Sequence, residues 1–139
     1  MGNRGRARRR AALSTPPPSI PEQPTGGEVQ ARREAAAQIA FYAAPRTYGT
    51  VIDVAGFSEA GERIRTAFAS RDFDAMAAAV PDAMVDAMSA SGTPAQVGAK
   101  LKEFARHVDH VIVYPASFGM TGERSRQVTA DLLKAAAPG

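Results

Sequence analysis

Two histidines, His107 and His110, lie three residues apart in a chain of 139 residues that contains no cysteine. Paired imidazoles can ligate a metal or pass a proton, and a spacing of three would suit both uses on a helix. The residues around them, VDHVIVYP from Val108 to Pro115, read as a strand. In a strand an odd offset turns two side chains to opposite faces, so the pair is not a metal chelate. Asp72, Asp74, Asp82 and Asp86 offer carboxylates, but they fall on polar helix faces and read as solvated. Ser91-Gly92-Thr93-Pro94 contains the letters GTP, yet it lacks the glycine-rich length and the lysine of a phosphate loop and reads as a turn and helix cap. The absence of cysteine removes disulfides, thiol nucleophiles and thiolate metal sites from consideration.

The elements that would position such groups are mostly helical. From Glu28 onward Val29, Ala36, Ala40 and Ala43 share a face, with Arg32, Arg33 and Glu34 largely off it, and Pro45 stops the run. Ala60, Ile64, Ala67 and Phe68 recur at helical spacing, as do Phe73, Met76, Ala77 and Val80. Pro81 then suits the first turn of a short helix that turns Met84, Val85 and Met88 inward. Thr93 is placed to cap the next helix, with Pro94 at its first position and Gln96 at the capping-box spacing. Val97, Leu101, Phe104 and Ala105 form that helix's apolar face, and Val128, Leu132 and Leu133 form one in the last. The run TVIDV is short enough to be a strand or a turn of helix. Around it the stretch Gln38 to Phe57 gathers Phe41, Tyr42, Tyr48 and Phe57, which makes it the aromatic centre of the chain.

Residues 1–27 read as a disordered, Arg/Pro-rich lead-in, with arginines at 4, 6, 8, 9 and 10 and prolines at 16, 17, 18, 21 and 24. That lead-in carries a net charge of +4, and the remaining residues carry −1. The basic balance therefore belongs to the tail, and the 28–139 domain has no electrostatic reason to bind nucleic acid specifically. Ala11-Ala12-Leu13 is too short for the apolar core of an export signal. No stretch approaches the roughly 20 apolar residues needed to span a bilayer, so a cytoplasmic protein with no membrane partner is expected.

Val111, Ile112, Val113 and Tyr114 form a continuous apolar run, the pattern of a strand buried on both faces. A helix precedes it and another follows, which is a slice of α/β architecture. One such strand cannot stand alone, because its backbone needs partners on both sides. Either another polypeptide supplies the sheet or the chain is the terminal part of a larger α/β protein. A buried helix turn at 108–114 in an all-helical domain is the alternative.

The segments just described, taken in order, carry a family resemblance: Arg33, then Ala40 to Ala43 (AFYA) with Pro45 and Tyr48, Gly56-Phe57, the Met84 to Met88 helix, Gly92-Thr93-Pro94 and DHVIVYP. The chain resembles the C-terminal portion of the luciferase-like monooxygenases, closest to their flavin- and deazaflavin-dependent oxidoreductase branch. The resemblance implies a (β/α)8 barrel, with the active site at the C-terminal ends of the strands. Residues 28–139 would form the C-terminal part of that barrel, mostly helical as it stands with one buried strand near 108–114. Most of the cofactor site would then be absent, including the phosphate-holding loops. The resemblance further implies FMN or coenzyme F-420, the deazaflavin, as cofactor and, once the barrel is completed, a small-molecule substrate. It places Tyr114, Ser117 and Gly119, which follow the strand, at a cofactor or substrate rim, and it leaves the chain inactive alone. The aromatics of 38–57 would pack against strands lying outside these residues. The alternative is a non-enzymatic helical interaction module or degenerate remnant that associates through exposed apolar helix faces.

Overall fold

The computed structural model describes residues 26–137. The expectation for the lead-in falls outside these residues except at Gly26 and Gly27, which open the first helix. The elements are α1 (Gly26–Ala43), a 3-10 turn (Arg46–Tyr48), α2 (Gly49–Val54), α3 (Ser58–Ala69), α4 (Phe73–Ala78), α5 (Asp82–Met88), α6 (Pro94–Phe104) and α7 (Gly122–Ala136).

Helix α1 is the hub because its inner face is alanine. Ala35, Ala36, Ala40 and Ala43 are buried there, and so small a side chain lets neighbouring helices come close. α4 and α5 pack on α1, and α3 packs on α4. Ile64, Met76, Met84 and Val85 supply the bulk of the core. The clasp between α1 and α5 is ionic at its rim: Arg32 donates to Asp86 at 2.7 Å and to Asp82 at 3.2 Å. Those two carboxylates are therefore tertiary contacts and not merely solvated. Asp72 likewise has local work, accepting the Ala75 N–H at 2.9 Å as the cap of α4.

The ambiguous TVIDV run is helical. It forms α2, with Ile52 buried, and tertiary packing overrides its β-branched content. The start of α6 follows its local signals: Thr93 accepts from Gln96, and the Gln96 carboxamide accepts the Thr93 N–H at 2.7 Å. Gly92 precedes it at φ +132°, where a side chain would collide with the Gln96 carboxamide.

The buried strand is not formed. Residues 108–116 adopt neither strand nor helix, and no backbone hydrogen bond joins them to another described residue. Ile112 and Tyr114 are 78% and 81% exposed, and Val111 and Val113 are also open to solvent. The physical reason is the shortage anticipated above: among the described residues there is no second strand to receive this one. The helix-turn alternative is not formed either. His107 and His110 lie exposed beside this segment, and among the described residues no cluster of three or more His, Asp or Glu is placed to hold a metal.

The two halves of the chain differ in how well they are covered. α6 and α7 pack chiefly on each other, with Gly98 facing the Ala135 carbonyl so closely that a Cβ would sit 3.3 Å from it. Neither helix contributes a buried residue. Ile64→Ala should therefore cost roughly 2–5 kcal/mol of stability, whereas Leu133→Ala, at a 67% exposed position, should change it by less than about 0.5 kcal/mol. Urea unfolding of the two variants beside the parent measures the difference.

Candidate functional site: the groove between α1 and the α6–α7 pair

A groove of about 420 Å³ separates α1 from the α6–α7 pair. Ala35, Ile39 and Tyr42 of α1 form one wall, and Val97, Leu101 and Phe104 of α6 with Val128 and Leu132 of α7 form the other. The irregular residues Val111–Ala116 also line it, as do Met88 and Ser89 to Gly92. Its surfaces are mostly aliphatic because each helix turns its apolar stripe toward the gap without reaching the opposite wall.

The polar groups of the groove hold one another. Glu34 on α1 takes a bidentate contact from Arg124 in the first turn of α7, at 2.7 Å from Nε and 2.8 Å from Nη2. Arg124, helped by Gln30, holds the Glu34 carboxyl below the usual carboxylate range, against a partial burial that pushes the other way. One turn along α1, the Gln38 carboxamide oxygen accepts the backbone N–H groups of Ser117 and Phe118, at 2.9 and 3.0 Å. The Phe118 ring then stacks on Phe41 with centroids 4.7 Å apart and meets Phe73 edge-on at 6.0 Å. Phe41 also contacts Tyr42, and Tyr42 contacts Tyr48, so Tyr48, Tyr42 and Phe41 form a continuous run that ends on Phe118. One partner of Phe41 thus comes from this chain, and the ring stays 43% exposed.

Of the three rim residues expected from the sequence, Tyr114 stands at the groove, largely exposed. Ser117 and Gly119 belong to the turn beyond it: the Ser117 carbonyl accepts the Met120 N–H at 3.2 Å, and Gly119 takes φ +72°. The structure therefore brings Tyr114 to the gap and places the other two at its anchored edge. Glu34, Gln38, Phe118 and Arg124 were not singled out from the sequence. Glu34 and Arg124 are ninety residues apart and share no local pattern. Gln38, a lone amide between inward alanines of α1, was the one available signal.

The family model for luciferase-like monooxygenases matches residues 4–110. The chain belongs to the luciferase-like monooxygenase family. Searches of curated proteins and of solved structures gave no significant match. The family's fold is the (β/α)8 barrel and its general chemistry is that of oxidoreductases and monooxygenases, which use flavin-type cofactors. In this luciferase-like chain the match covers the groove walls from α1 and α6 and stops before the 111–116 segment and α7.

The groove residues do not by themselves fit a flavin-type cofactor. Such a cofactor needs a planar slot and a cationic or amide-rich seat for its phosphate. Among the described residues Arg124 is the only cation lining the groove, and it is already engaged by Glu34. The Ser89 hydroxyl is spent on the Val85 carbonyl at 2.7 Å, and the Gln38 oxygen on two backbone donors. Among the described residues what remains is chiefly an aliphatic wall able to shield a ring system, with no uncommitted cation to anchor its phosphate.

The Glu34–Arg124 contact makes stability pH-dependent with a definite sign. A carboxyl held low in the folded chain adds stability above the ordinary carboxylate range and loses it as pH falls through the lowered value. The parent should therefore lose stability more steeply than Glu34→Gln as pH drops from about 5 to about 3. At neutral pH Glu34→Gln should cost about 1 kcal/mol, since both side chains keep some solvent contact. Denaturant midpoints across that range measure both effects.

Proposed function

We propose that this chain serves a luciferase-like oxidoreductase as part of its helical shell, in the C-terminal portion of the barrel. In this reading the redox cofactor, FMN or coenzyme F-420, sits where strands supplied from elsewhere complete the sheet, and the chain alone is inactive. The observation that supports it best is the state of residues 111–114. They are apolar, exposed, without regular structure and, among the described residues, unpaired along the backbone, beside an aliphatic groove, in a family whose fold depends on a closed sheet. A segment in that condition has backbone groups free to pair, and added strands would supply the partners.

The cofactor would supply the hydride or oxygen chemistry, and this chain would shield and orient. Tyr114, Ser117 and Gly119 would then lie at the cofactor and substrate rim, at the C-terminal end of a completed strand, with a small molecule as substrate. No helix among the described residues is long and apolar enough to cross a membrane, and a cytoplasmic setting is part of the proposal. A second reading, a non-enzymatic module that associates through apolar surface, draws on the exposed Val51, Val54, Tyr42 and Tyr48 near the 3-10 turn and α2.

Fluorescence titration of the purified chain with FMN and with coenzyme F-420, run beside hydrogen exchange at the Val111–Tyr114 amides, tests the proposal. No saturable binding up to about millimolar cofactor and unprotected amides are expected, because the described residues offer neither a phosphate seat nor neighbouring strands. Saturable micromolar binding by the monomer, or protected amides within it, would overturn the view that the site needs completion.

A further inference from the structure

The α6–α7 pair faces the rest of the molecule across a gap instead of packing into it, and its attachments are few and specific. Three irregular segments connect it. Residues 89–93 leave α5 in extended geometry at Ser89 and pass through Gly92 at φ +132°. Residues 105–116 carry no regular structure beyond the turn that ends α6, and from 108 onward have no backbone hydrogen bond to another described residue. Residues 118–121 lead into α7 through Gly119 at φ +72°. Both glycines adopt backbone geometry that other residues take only with strain, and connections of this kind absorb dihedral changes most readily.

Between these connections the contacts divide into a pivot and a fastener. Phe118 is packed against the core beside Phe41 and Phe73, and its N–H is held with that of Ser117 by Gln38, so the chain is fixed at 117–118. Beyond that point α7 is tied to α1 by Arg124 on Glu34, with Gln30 on the same carboxylate and Asp131 near the same guanidinium. The hydrophobic term offers little resistance to separation here, because neither α6 nor α7 buries a residue and the aliphatic faces on either side of the groove remain half covered.

We infer that α6 and α7 move together as a hinged flap over the groove, pivoting at the Phe118 anchor and held shut by the Glu34–Arg124 contact. Opening exposes the aliphatic walls contributed by Ile39, Leu101 and Leu132, and closing returns them to partial cover. The inference concerns the isolated chain and stands apart from the cofactor assignment, so either can fail without the other.

Because the chain has no cysteine, two introduced thiols can carry spin labels without background. Ala83→Cys on α5 and Ala130→Cys on α7, both at exposed positions, report the distance between body and flap in the full chain. A dominant short distance with a minor longer one is expected, and Glu34→Gln should raise the ratio of long to short about tenfold. The charge-swapped variant Glu34→Arg with Arg124→Glu should bring the ratio back toward that of the parent. An unchanged distribution in Glu34→Gln would overturn the hinge, as would failure of the swap to restore it. A control pair within the body, Ala69→Cys with Ala83→Cys, should keep one distance throughout. If it broadens together with the flap pair, the motion is general loosening and the inference fails.

Discussion

How closely other helices can approach α1 governs the rest of the structure. Its inner face is built from Ala35, Ala36, Ala40 and Ala43, which bring little bulk of their own and allow near contact. The apolar volume must then come from partners, and Met76, Met84, Val85 and Ile64 provide it from α4, α5 and α3. A core of this kind is tight but small. It accounts for the cohesion of α1–α5 and leaves nothing spare to draw α6 and α7 inward, so the same alanine face that compacts one half sets the other half apart.

The groove follows from that division. On its body side Ile39 and Tyr42 project from α1 beyond the alanines, and on its far side Val97, Leu101, Val128 and Leu132 project from a helix pair that is packed on itself. Residues 111–116 line the gap; the side chains of 111–114 are exposed, and among the described residues the backbone of the segment has no partner. Apolar walls and an unpaired backbone are complementary needs, since an added strand would meet both. This physical coincidence is what connects the geometry to a family whose members close a sheet inside a ring of helices.

The polar contacts that bridge the two halves are few, and each has a distinct role. Gln38 satisfies two consecutive backbone donors at the start of a turn, which would otherwise compete for water at the edge of the core. Phe118 converts the aromatic run of the first half into an anchor for the second. Glu34 and Arg124 add a geometrically selective contact whose carboxylate is held in its charged form by the guanidinium. The same pairing that fastens the helices engages the one cation that the described residues bring to the groove.

The sequence by itself determined the helices, most of their limits and the family. Those features rest on neighbours within a few residues, as with Thr93, Pro94 and Gln96 at the start of α6, or on the order of short segments along the chain. It also marked Val111–Tyr114 as strand material, because β-branched and aromatic residues in an unbroken apolar run favour an extended backbone. Only the tertiary structure decided that this run forms no strand and is left without a sheet, that TVIDV coils into α2, and that Phe41 stacks on Phe118. Each of those outcomes depends on which surfaces meet across large separations in sequence. Hydrogen bonds and packing between distant residues leave no local periodicity, so Glu34 and Arg124 become a pair only when α1 and α7 are brought side by side.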